Sequence, residues 1–131
     1  MLVHGSCHGA WSWYKVAALL DSAGHAVTAL DMTACGVDPR TLADVRSVRD
    51  YFRPLMDHLS AAAASSADDE RVVIVGHSFG GVGVALAMEA FPDKIAVAVF
   101  ATATMPSPTF SLGDILDEVG DLALLAHLVL A

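Results

Sequence analysis

Charge is scarce in this chain, and positive charge scarcer still. Charged residues fill 17% of the 131 positions, against about 25% in an average soluble protein. Seven lysines and arginines face 15 aspartates and glutamates, for a formal charge of −8 at pH 7. Such a balance argues against nucleic acid and anionic membrane as partners. Cysteine is nearly absent, and Cys7 and Cys35 are expected to be free thiols. No basic segment leading into an apolar core opens the chain, so no signal peptide is read. The longer apolar stretches are interrupted by His77, Pro92, Asp93 and Lys94, and the last eleven residues are too short to span a bilayer. A cytoplasmic location follows as the expectation. The second ligand cluster that would turn His4, Cys7 and His8 into a structural zinc site is also missing, so no metal is expected. With 55% apolar residues in a chain of one-domain length, the composition fits an α/β fold whose central strands are buried on both faces.

What is present is concentrated in two segments. The apolar run Arg71-Val72-Val73-Ile74-Val75 leads directly into Gly76-His77-Ser78-Phe79-Gly80, and then into a stretch of small residues. Strand, G-x-S-x-G and helix in that order form a nucleophile elbow, which holds a serine on a strained turn with its hydroxyl exposed. Gly76 and Gly80 keep side chains out of that crowded turn. The plainer alternative is a glycine-rich strand-to-helix turn whose serine only caps the helix. The second segment, Met1-Leu2-Val3-His4-Gly5-Ser6-Cys7-His8-Gly9-Ala10-Trp11, reads as a short strand running into a His-Gly loop. By position, the backbone N–H groups of Ser6 and Phe79 are the candidate oxyanion-hole donors, each worth about 3–4 kcal/mol in enzymes of this kind. His77 is read as a packing or hydrogen-bonding residue, Asp31 as support for the loop, and His25 and His58 as solvent-facing.

The stretches LVHGSCHGAWSWYKVAALLDSAGHAVTALDM, VDPRTL, VVIVGHSFGGVGVALAMEAFPDKIAVAVF and ATATMPSPTFSL resemble the plant methylesterase and hydroxynitrile lyase family of α/β hydrolases. The resemblance covers roughly residues 2–117. It implies a serine carboxylesterase that needs no cofactor and acts on small esters such as methyl salicylate, methyl jasmonate or methyl indole-acetate. Ser78 matches the nucleophile, and Ser6 and Phe79 match the oxyanion-hole positions, where Ala and Leu are more usual. The lyases carry Thr or Asn at the position of Gly5. Glycine there matches the esterases, with cyanohydrin cleavage as the alternative.

The organisation expected is an N-terminal α/β-hydrolase half over residues 1–106 and the start of a cap region over 107–131. Strands are read at 1–4, 26–31, 71–76 and 95–103, with helices at 10–23 (closed by Gly24), 45–63 and from the elbow to about Phe91. Val48, Phe52, Leu55 and Leu59 form the inward stripe of the second helix. Weak helices are expected near 111–119 and 121–130. The strands at 26–31 and 95–103 would be outermost in a parallel sheet with helices on both faces. Their open edges suggest aggregation or a homodimer.

A triad requires Ser, then Asp, then His. After Ser78 the one histidine is His127, six residues past Asp121, in a tail (GDLALLAHLVLA) that does not match the family. The resemblance therefore implies a chain that stops short of the triad acid and base and is nearly inert by itself. Beside the esterase reading stand a catalytically silent binding module and a fragment with no function of its own.

Overall fold

The computed structural model describes residues 1–64, 71–109, 111–114 and 117. The elements are β1 (Leu2–Val3), α1 (Tyr14–Ser22), β2 (Ala29–Leu30), α2 (Val48–Tyr51), α3 (Arg53–Ala64), β3 (Val72–Ser78), α4 (Gly80–Ala90) and β4 (Ile95–Ala103). All strand pairs are parallel and the order is β2-β1-β3-β4, so β2 and β4 are the outer strands, as the sequence implied. Each parallel step is bridged by helical chain, as parallel pairing requires. The expected loop at 65–70, the helix at 121–130, Asp121 and His127 lie outside the described residues. Of the helix expected near 111–119, the described residues 112–114 and 117 are helical.

Several elements differ from the sequence reading, each for a local reason. Residues Ala10–Trp13 form a 3-10 turn, and α1 starts only at Tyr14. Gly24 closes α1 at φ +88, with its N–H donating to Asp21 O at 2.9 Å. β2 pairs only through Ala29 and Leu30, because β1 offers just Leu2 and Val3 as partners. β3 runs on through His77 to Ser78, so the nucleophile candidate is the last residue of the strand.

The single helix expected at 45–63 breaks at Phe52. Pro54 has no N–H to give the carbonyl of Asp50, four residues back. Thr33 fills the gap: its hydroxyl donates to Asp50 O at 2.6 Å, and its N–H donates to Tyr51 O at 3.0 Å. The break thus ties α2 and α3 to the loop after β2. It leaves Phe52, Leu55 and Leu59 fully buried on the inward stripe, with Val48 partly covered beside them. These residues pack with Val3, Met32, Ile74, Val82, Val84 and Ala87 into one apolar core on the α4 side of the sheet.

Candidate active site

Ser78 sits at φ +53, in the left-handed region that a side-chain-bearing residue occupies only at a cost. One hydrogen bond and two glycines hold it there. Its carbonyl accepts from Thr104 N–H at 2.9 Å, just beyond a register shift between β3 and β4. A Cβ at Gly76 would stand 2.7 Å from Val84 Cγ2 and 2.8 Å from Gly80 O, and one at Gly80 would stand 2.6 Å from Val3 O. The turn closes this tightly only because both positions lack a side chain.

The loop after β1 approaches the serine from the other side. A Cβ on Gly5 would lie 2.8 Å from Ser78 Cβ and 3.3 Å from Ser78 Oγ, so the Gly5–Ser6 peptide rests against the elbow. Its orientation is set by His4, which is fully buried. Nδ1–H of His4 donates to Gly5 O at 2.7 Å, while Nε2 accepts from Met32 N–H at 3.0 Å. Only the neutral ring with its proton on Nδ1 satisfies both. Because Gly5 O and Ser6 N–H belong to the same planar unit, anchoring the oxygen also aims the N–H. On the far side of the loop, His8 Nδ1–H donates to Ser6 O at 2.8 Å and its ring stacks on Trp11 with centroids 5.6 Å apart.

Asp31 braces the loop more extensively than its sequence position suggested. Oδ1 accepts from Ala10 N–H at 2.6 Å and Oδ2 from Val37 N–H at 3.1 Å, joining the loop after β1 to the turn after β2. Gly36, at φ +56, leaves the room that this carboxylate occupies. His77 is a packing residue, edge-on to Trp13 and His8 with centroids 6.4 and 6.5 Å away. His25 and His58 are exposed.

Phe79 starts α4 in helical conformation, and its ring tilts against Phe52 at 5.5 Å and Tyr51 at 5.7 Å. This fixes the residue whose N–H faces the turn, at the positive end of an 11-residue helix. Neither Ser6 N–H nor Phe79 N–H is engaged in the backbone hydrogen bonds of the described residues. Tyr51 gives its hydroxyl to a contact with Cys35 Sγ at 3.4 Å, and burial, reinforced by that contact, pushes its ionisation above the ordinary tyrosine value. Cys7 and Cys35 are both free thiols. Among the described residues no imidazole or carboxylate is hydrogen-bonded to Ser78 Oγ, and no cluster of His, Cys, Asp and Glu could hold a metal ion.

The His4 arrangement has a pH signature. Burial lowers its pKa below the ordinary 6.5, outweighing the Gly5 bond and the Asp31 charge, which act the other way. A group held neutral by folding contributes its full stability above 6.5, and that contribution is lost as pH falls from there through the folded value. The carboxylates of Asp38, Asp44 and Asp50 are held below 3.8 by hydrogen bonds, so their loss begins lower. Melting temperature is therefore expected to start falling between pH 7 and pH 5. The decline should flatten in His4→Gln, and an equal decline there would assign it to other groups.

A half-buried serine at the end of a parallel strand, on a left-handed turn between glycines and facing a His-Gly loop, is the geometry of one fold family, and residues 1–130 match the model of the alpha/beta hydrolase family. The chain belongs to that family. Within it the relatives are plant methylesterases and their kin. Polyneuridine aldehyde esterase of Rauvolfia serpentina is 54% identical over 112 residues, covering 86% of this chain and 41% of that protein. Methyl jasmonate esterase 1 of Vitis vinifera is 50% identical over 119 residues, covering 91% and 44%. A crystal structure of polyneuridine aldehyde esterase superposes with a TM-score of 0.84 at 50% identity, over 92% of this chain and 46% of that one. Tomato methylketone synthase I, as a variant with beta-ketoheptanoate, gives 0.85 at 41% identity, over 94% and 46%. The chain thus spans less than half the length of these relatives.

The structure brings Gly5, Gly76, Ser78 and Gly80 together, and places Ser6 and Phe79 on the two segments that meet there. Sequence reasoning missed Tyr51 as a wall of Phe79 and His4 as the anchor of the Gly5–Ser6 peptide. For His4 a signal existed: a histidine at the end of an apolar strand needs partners for both ring nitrogens.

Proposed function

We propose that this chain carries the nucleophile and oxyanion-hole half of a cytoplasmic carboxylesterase that acts on small methyl esters of the plant-hormone type. The observation that carries the reading is Ser78 at φ +53 between Gly76 and Gly80, facing the Gly5–Ser6 peptide. In this scheme Ser78 Oγ bonds to the ester carbonyl carbon while its proton passes to a base. The carbonyl oxygen, now negative, is held by the N–H groups of Ser6 and Phe79. Collapse breaks the bond to the methoxy oxygen, which leaves as methanol with the proton, and water then releases the acid from Ser78 by the same steps. Gly5 favours hydrolysis over cyanohydrin cleavage, since it offers no polar side chain to a cyanohydrin hydroxyl.

The described residues place no base on Ser78, and loss of the base from a serine triad costs on the order of 10⁶ in turnover. The chain alone is accordingly expected to turn over methyl esters hardly at all. A small-molecule base tests the site directly. In a fluorophosphonate reaction, Ser78 Oγ bonds to phosphorus, fluoride leaves, and added imidazole takes the proton. Imidazole should accelerate labelling by about tenfold or more, with the adduct mapped to Ser78 and absent from Ser78→Ala. A folded chain that gains no adduct at Ser78 under these conditions would sink the esterase reading and favour a silent binding module. Of the association expected from the sequence, the structure bears on the surface alone: among the described residues no strand lies on the outer side of β4.

A further inference from the structure

The side chain of Ser6 stands beside one of the two candidate donors, and its hydroxyl has no hydrogen-bond partner among the described residues. Ser12, further along the same segment, spends its own on Gly9 O at 2.8 Å. Ser6 is exposed, so its hydroxyl is open to a molecule approaching Ser78. The backbone around it is held firmly. Gly5 O accepts from His4 Nδ1–H at 2.7 Å and from His8 N–H at 3.4 Å, and Ser6 O accepts from His8 Nδ1–H at 2.8 Å. These bonds close a turn from Gly5 to His8, with Ser6 as its first central residue and Cys7, at φ +59, as its second. With the peptides on both sides of Ser6 fixed, χ1 is the torsion left free. Two of its three staggered rotamers put Oγ gauche to the backbone nitrogen, about 3 Å from it. In those two the O–H lies on the same side as the N–H, and both can donate to one acceptor. That acceptor would sit beside the nucleophile, since a Cβ on the preceding Gly5 would lie 3.3 Å from Ser78 Oγ.

We infer that the Ser6 hydroxyl is a third donor to the oxyanion formed on Ser78, acting beside the N–H groups of Ser6 and Phe79. Ser6 is then a catalytic residue through its side chain as well as its backbone. Negative charge on the former carbonyl oxygen grows as the bond to Ser78 Oγ forms. A hydrogen bond from Ser6 Oγ–H therefore strengthens on the way to the transition state and raises the rate more than the affinity. The hydroxyl keeps its proton throughout: it donates a hydrogen bond and is neither acylated nor deprotonated. Because His4 and His8 fix the turn beforehand, little ordering remains to be done when the charge appears. This role rests on the esterase reading of Ser78, and the two can be told apart by experiment.

The test is imidazole-assisted fluorophosphonate labelling of the 131-residue chain, in which the phosphoryl oxygen takes up negative charge as Ser78 Oγ bonds to phosphorus. Ser6→Ala should slow labelling by about tenfold or more. The loss should fall on the limiting rate constant and leave the half-saturating reagent concentration unchanged. Ser6→Thr keeps a hydroxyl and should recover most of the rate. Ser6→Val, of the same shape without the hydroxyl, should not. Since Ser6 is exposed, urea midpoints of all three variants should match that of the unaltered chain, which separates a slower reaction from unfolding. Ser6→Ala labelling as fast as the unaltered chain would overturn the third donor and leave the esterase reading standing. Equal losses in Ser6→Thr and Ser6→Val would also overturn it, by assigning the effect to bulk. A loss confined to the half-saturating concentration would do the same, by assigning it to reagent binding. No adduct at Ser78 in the unaltered chain would sink the esterase reading and the third donor together.

Discussion

Gly80→Ala is expected to destabilise the chain by about 3 kcal/mol or more. The added carbon would sit 2.6 Å from Val3 O, 2.7 Å from His4 O and 3.1 Å from Val3 C. These are backbone atoms of β1 and its extension, with no flexible side chain among them to swing aside. Relief would require moving β1 away from α4, and β1 is held by only two residue pairs to β3, Leu2 to Val75 and Val3 to Gly76. Overpacking a well-filled site costs about 1–3 kcal/mol even where side chains can adjust, and this site offers none. Against a total stability of about 5–15 kcal/mol, a loss of about 3 kcal/mol or more removes roughly a fifth of it or more. Urea unfolding read by circular dichroism checks it. Gly24→Ala is the comparison: its new carbon meets nothing within 4 Å, and only the backbone strain at φ +88 remains, a cost of about 1–2 kcal/mol. Equal midpoints for the two variants would refute the steric argument.

Phe52→Ala is expected to cost about 3–5 kcal/mol, the usual range for deleting a buried phenylalanine. The ring is fully buried, and it touches the space above Gly83, where a Cβ would stand only 2.5 Å from Phe52 Cδ1. It also lies against Tyr51 and Phe79, with ring centroids 4.9 and 5.5 Å away. The consequence reaches the candidate site, because Phe79 would lose the surface that fixes its backbone N–H. Imidazole-assisted labelling of Ser78 should therefore slow in Phe52→Ala by more than the unfolded fraction explains. Phe52→Leu should recover most of the stability and part of the labelling rate. Labelling that tracks only the folded fraction would show that the aromatic wall does not position the donor.

The elements that could be read from the chain were those with a local cause. The Gly76 to Gly80 turn, the inward stripe of Phe52, Leu55 and Leu59, and the Gly24 stop all depend on neighbours a few residues away. Strand order followed from the family resemblance and was observed as expected. What stayed hidden depends on groups distant in sequence. Nothing near Asp31 announces that one carboxylate holds both Ala10 and Val37, and nothing near Thr33 announces that its hydroxyl takes over the Asp50 carbonyl that Pro54 leaves without a donor. The break at Phe52 could have been read, since Pro54 was in plain view inside a helical pattern. The role of His4 was within reach as a need for two partners, but the partners, Gly5 O and Met32 N–H, came only with the fold.

The placement of β1 bears on how the molecule comes into being. Its two residues lie between β2 and β3, paired on one side with Ala29 and Leu30 and on the other with Val75 and Gly76. During synthesis, Leu2 and Val3 precede Val75 by more than 70 positions, which at cellular elongation rates is a wait of roughly 4–14 s. Until β3 emerges, the His4–Gly5–Ser6 loop has no elbow to rest against, and the central strand of the sheet keeps one side unpaired. Contacts this distant in sequence form slowly. The nascent chain is therefore most exposed to chaperones, or to aggregation, in the interval before Gly76 reaches the segment that began it.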